Sequence, residues 1–76
     1  MKDLNNLRTQ IDQIDEKILD LIKKRFNLAI EIGKHKKENG LSIKDPDREK
    51  EIMSNKTGIY KKIWELLLKE SKRLQE

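Results

Sequence analysis

The strongest constraint in this chain is a row of apolar residues that outruns everything else in it. Leu4, Leu7, Ile11, Ile14, Ile18 and Leu21 recur at steps of three and four, and Leu28 and Ile32 continue the row after one step of seven. Such a pattern is a heptad seam, sustained here for about four heptads, with Ile22 and Ala29 widening it. It predicts a helix over about 3–39, which at 1.5 Å per residue is about 54 Å long. In a chain of 76 residues nothing else is long enough to cover that helix. The exposed remainder of the seam therefore calls for a second copy of the chain. On periodicity alone, the plainest expectation is a dimeric helical bundle.

Two breaks divide the rest. Asn39-Gly40 stops the long helix, and Asp45-Pro46 then supplies an N-cap and a first-turn proline for a new one. Ser54-Asn55-Lys56-Thr57-Gly58 is a second turn. The expected architecture is all-α, in one domain spanning 1–76. It has three helices: one long (about 3–39), one short (about 46–53) and one medium (about 58–74).

Composition narrows the chemistry. There is no Cys, so disulfides, thiolate metal sites and Cys nucleophiles are excluded, and the single His, His35, rules out multi-His metal sites. His35 itself reads as a packed or partly exposed residue without a function. Twenty-six apolar residues make a small core, which again favours self-association. The net charge of +4 comes from 18 basic residues against 14 interspersed acidic ones, a mixed solvated surface that does not suggest nucleic-acid binding. No apolar run approaches the ~20 residues of a membrane span, and the N-terminus has no apolar signal-like run. A cytoplasmic location without membrane or nucleic-acid partners is the expectation.

The seam carries one defect. Between Leu21 and Leu28 the apolar residue is replaced by Arg25. A charge on a buried stripe costs several kcal/mol unless it is paired or given an anionic partner. Arg25 is thus a structural ion-pair member, an arginine that snorkels outward, or a guanidinium aimed at a bound anion. Other residues bear on this choice. Lys36 lies eleven residues further on, three turns plus about 20°, and so shares a side of the helix with Arg25. Arg48 and Glu49 occupy the first turn of the second helix, where the dipole favours anions. Ser71 and Gln75 are spaced four apart and share a face of the third helix.

Taken together, Leu7-Arg8-x-x-Ile11-Asp12-x-Ile14-Asp15-x-x-Ile18-Leu19-x-Leu21-Ile22-x-x-Arg25, then Leu28-Ala29-x-x-Ile32-Gly33-x-x-Lys36, then Asp45-x-x-Arg48-Glu49 and a closing Ser71-x-x-x-Gln75, resemble the all-helical (type II) chorismate mutases in a short monofunctional form. The resemblance implies an intertwined homodimer that rearranges chorismate to prephenate in two identical sites, on the route to phenylalanine and tyrosine. It implies that Arg25 binds the enolpyruvyl carboxylate, joined there by Arg8 of the other subunit. Lys36 would donate to the ether oxygen and to a carboxylate, and Gln75 to the ether oxygen from the opposite side. Glu49 would accept from the ring hydroxyl, near which Asp45 would offer its backbone. Arg48 would support the polar network beside the substrate, and Ser71 would touch the ring carboxylate. No cofactor and no metal is implied, because the rearrangement needs none.

Two departures from the family pattern matter. About ten residues that many members carry between the Arg-Glu pair and the third helix are missing, so the second helix must be short or turn tightly into the third. Gln75 is also the penultimate residue, where helices fray, so its ordering is expected to depend on ligand. An isochorismate-pyruvate lyase shares the implied fold, and a non-catalytic dimerisation or regulatory module could keep it. The Arg48-Glu49 pair favours the mutase. Feedback regulation by phenylalanine or tyrosine within this chain is not expected.

Overall fold

The computed structural model describes residues 3–76; the first two positions of the expected domain lie outside the described residues. It contains three helices: α1 (Leu4–Glu38), α2 (Pro46–Met53) and α3 (Gly58–Gln75). Each boundary has a local chemical cause. The Asp3 carboxylate caps α1 by accepting from the Asn6 amide at 2.7 Å. At the other end Gly40 takes φ +64°, and two amides reach back to close the helix: Leu41 to the Lys36 carbonyl at 2.8 Å and Gly40 to Lys37 at 3.4 Å. This left-handed closure satisfies carbonyls that a helix end otherwise leaves open. Asp45 caps α2, accepting from the Arg48 amide at 3.2 Å, and Pro46 opens the first turn. Gly58, at φ +57°, makes the tight reversal into α3 that the short connection requires.

The packing is lopsided. α3 lies along the C-terminal half of α1, and α2 packs only lightly against α3. The described chain measures 57 × 24 × 14 Å. Ala29 is the only buried hydrophobic residue among those described. Leu4, Leu7, Ile11, Ile14, Ile18 and Leu21 are all exposed, as are Leu28 and Ile32. The chain exposes 6660 Å². A compact monomer of 9.1 kDa would expose roughly 4,900 Å². The excess of roughly 1,800 Å² is about what one protomer contributes to a permanent dimer interface. Among the described residues, no helix is long and apolar enough to cross a membrane.

Candidate active site

The C-terminal half of α1, the loop before α2, the first turns of α2 and the last turns of α3 enclose a cavity of about 460 Å³. Arg25, Lys36, Asp45, Arg48, Glu49, Ser71 and Gln75 all line it. Its apolar walls are Leu28, Ala29, Ile32, Ile43, Ile52 and Leu68. A larger and shallower groove of about 1220 Å³ runs along the outer side of α2 and α3. That groove lacks Arg25, Lys36 and Gln75, and the smaller cavity is where polar groups from all three helices converge.

Arg25 reaches across from α1 and donates from Nη1 to Ser71 Oγ at 2.6 Å. Ser71 is buried, and its hydroxyl in turn donates to the Leu67 carbonyl at 2.7 Å. Lys36 Nζ donates to the Ile43 carbonyl at 3.0 Å and to Gln75 Oε1 at 3.1 Å. With its oxygen held by Lys36, Gln75 has its amide nitrogen left to donate into the cavity. Among the described residues no carboxylate lies within ion-pair distance of Arg25 or Lys36. The seam charge at Arg25 is therefore neither an ion pair nor a snorkelling side chain; it is half-buried and held by a neutral hydroxyl.

The second helix contributes differently. Asp45 acts through its cap, and its backbone carbonyl accepts from the Glu49 amide at 3.0 Å. Arg48 lines the cavity but also pairs with Glu51, at 2.6 Å on the exposed side of α2. Glu49 is half-buried, and its Oε1 lies 2.8 Å from Lys72 Nζ on α3. Lys72 also lines the cavity, and sequence reasoning passed over it. A lysine on a charged helix gives no signal of its own, and only the tertiary pairing with α2 reveals it.

The last turn of α3 brings Gln75 down onto α1. Gly33, directly beneath it, is buried, and a Cβ there would stand 2.7 Å from the Gln75 Cα and 2.8 Å from its carbonyl oxygen. The last turn of α3 is thus seated in a notch on α1, and Lys37 also donates to the Glu76 carbonyl. The same notch answers what Gly33 is for: the close neighbour is the chain's own α3. Arg8 is exposed on the far half of α1 and does not line this cavity. At 17 residues from Arg25 it is about 25 Å away along the helix. His35 is exposed, its ring 3.4 Å from the Asn39 amide.

Among the described residues, the one pair with perturbed titration lies on the solvent side of α3. Hydrogen bonds from Arg73 hold Glu70 below the usual carboxylate range, and Glu70 in turn raises Arg73. Among the described residues no group of three His, Asp or Glu side chains is arranged to hold a metal ion.

An all-helical chain whose three helices converge cations and an amide on one small cavity has the makings of a site for a small organic anion. The family match is specific: residues 7–76 fit the family model for chorismate mutase type II, and the chain belongs to that family. It is 36% identical over 83 residues to the chorismate mutase of Methanocaldococcus jannaschii, covering 96% of this chain and 84% of that protein. It is 41% identical over 64 residues to the bifunctional chorismate mutase/prephenate dehydratase of Aquifex aeolicus, covering 84% of this chain but 18% of that one. The chain thus spans under a fifth of its bifunctional relative and most of the monofunctional one. A solved structure of a conserved hypothetical protein from Pyrococcus furiosus superposes with a TM-score of 0.88 at 44% identity, covering 96% and 95% of the two chains.

Proposed function

We propose that this chain is a chorismate mutase, isomerising chorismate to prephenate without a cofactor, in a cytoplasmic homodimer. The observation that carries the reading is the pair Arg25 and Lys36. Both are half-buried on one cavity, neither has a carboxylate partner among the described residues, and the Gln75 side chain lies beside Lys36, bonded to it through its oxygen. Cations left without counterions inside a cavity are costly unless an anion fills it, and a dicarboxylate would.

The chemistry follows from charge. Arg25 and Lys36 hold the two carboxylates of a flexible substrate and so select its compact conformer, which lowers the entropic part of the barrier. As the C–O bond breaks, negative charge grows on the ether oxygen. Lys36 and the Gln75 amide are fixed donors for that charge, and one such donor is typically worth ~3 to 4 kcal/mol. Because the charge is larger in the transition state than in the substrate, these donors accelerate the reaction as well as binding its reactant. Glu49 accepts from the ring hydroxyl and orients the ring, Asp45 shapes that corner through its backbone, Arg48 adds positive potential, and Ser71 meets a carboxylate beside Arg25.

The dimer reading rests on the seam and on the cavity's open side. Leu28 and Ile32 border the cavity and are also exposed seam residues. A second α1 laid antiparallel on the seam, crossing near residues 20 to 21, would bring its residue 8 opposite residue 33. That helix would cap the cavity and carry Arg8 to the carboxylate end of the site. Purified chain should deplete chorismate absorbance, with isochorismate acting as competitor and not as substrate. Consumption of isochorismate with release of pyruvate, and no prephenate from chorismate, would overturn the reading.

A further inference from the structure

α2 is the loosest wall of the pocket, an eight-residue helix with no buried residue. Its turn end is strapped by Lys56, whose ammonium donates to the Ile52 carbonyl at 3.1 Å and lies 4.6 Å from the centre of the Trp64 ring. At the pocket end, among the described residues, the one direct polar contact between α2 and α3 is Lys72 Nζ to Glu49 Oε1 at 2.8 Å. Lys72 lines the same cavity as Ser71 and Gln75, yet the proposed reaction gives it no task.

We propose that Lys72 is a positioning residue for Glu49. Its ammonium holds one carboxylate oxygen, leaves the other to accept from the substrate's hydroxyl, and keeps the α2 wall at a fixed distance from α3. Glu49 sits in the first turn of α2, where the helix dipole favours a carboxylate but does not aim it. A glutamate side chain has freely staggered torsions, and a single charge-assisted bond from a second helix removes most of that freedom. The two side chains keep 40% and 36% of their surface exposed. At that exposure an ion pair adds little stability, so orientation is its main effect. The rival role for Lys72 is electrostatic. With Arg25, Lys36 and Arg48 it opposes only Asp45 and Glu49 on the cavity lining, so it could act on the substrate's charge directly.

The kinetic consequence rests on the mutase reading; the structural one does not. In the unliganded full chain, Lys72→Met should speed hydrogen exchange of the amides at 50–53 several-fold, and Lys72→Arg should stay near wild type. In turnover, Lys72→Met should lower kcat roughly 3- to 10-fold with little change in KM. Lys72→Arg should restore most of the rate. In a Glu49→Ala background the Lys72→Met loss should largely vanish, because the residue acts through Glu49. Unchanged exchange across α2 overturns the proposal, and so does a rise in KM of equal size in both Glu49 backgrounds, which a direct contact with substrate would give. If the wild-type chain does not isomerise chorismate, the proposed function fails, and the exchange measurement still decides whether Lys72 pins α2.

Discussion

The two halves of α1 carry one seam, broken only at Arg25, and have opposite surroundings. From Leu4 to Leu21 every seam residue is exposed, and the polar contacts are local, such as Gln10 with Asn6 and Lys24 with Asp20. From Arg25 to Lys36 the helix is covered by α3, and here the small residues Ala29 and Gly33 are buried while Arg25 and Lys36 turn into the cavity. One helix thus serves two purposes. The N-terminal half is apolar and unsatisfied, as a surface made for another helix is. In the C-terminal half helix pairing gives way to a small-residue seat and two charges without a carboxylate partner among the described residues, features that the proposed anion site accounts for.

Opposite substitutions in the two halves should break this contrast in opposite ways. The largest effect is expected in the C-terminal half, where Arg25→Leu or Lys36→Ala should lower kcat/KM by ~10² to 10³-fold. Arg25→Leu should nonetheless keep or raise the melting temperature, because the buried Ser71 hydroxyl retains its bond to the Leu67 carbonyl. Thermal unfolding and steady-state kinetics on the same preparation check both parts. In the N-terminal half, Ile14→Lys should leave the site residues intact but weaken self-association by ~10²-fold or more, since it places two like charges at a desolvated interface. Sedimentation across a concentration series would measure it, and activity should fall with dilution in step.

Smaller effects sharpen the account of the seat. Gly33→Ala puts a Cβ against the backbone of Gln75, which cannot swing away as a side chain tip could. The last turn of α3 must lift, and kcat should fall ~10-fold, with little further loss when Gln75→Ala is already present. The smallest effect concerns the solvent face of α3. Glu70 has its pKa lowered in the folded chain by Arg73, so its contribution to stability is present above the ordinary carboxylate pKa and is lost as pH falls through the lowered one. Glu70→Gln should remove that part of the acid dependence, seen in melting temperatures between neutral and acidic pH, without altering turnover.

The helices were legible because their ends are written in local chemistry. Asp45-Pro46, Gly40 and Gly58 punctuate the chain where the backbone needs a cap or a positive φ, and the apolar steps mark the long helix between them. The charges that line the cavity could be picked out because Arg25 interrupts an apolar row and Lys36 follows at whole turns. What stayed hidden was contact between segments distant in sequence. Arg25 and Ser71 are 46 residues apart and Lys36 and Gln75 are 39 apart, and no periodicity announces such pairs. For the same reason the seat that Gly33 offers the chain's own last turn gave no signal. This also left Gln75 looking like a frayed end and Lys72 like ordinary surface, although one sits in a notch and the other holds Glu49.

The central claim is that the exposed half of α1 completes the pocket of a second chain. The direct test mixes two variants that should each be inactive alone, Arg8→Ala and Arg25→Ala, under conditions that exchange subunits. If Arg8 acts across the interface, each heterodimer regains one intact pocket, and an equal mixture should recover up to about a quarter of wild-type activity. No recovery, with heterodimers demonstrated by mass spectrometry, would contradict the account.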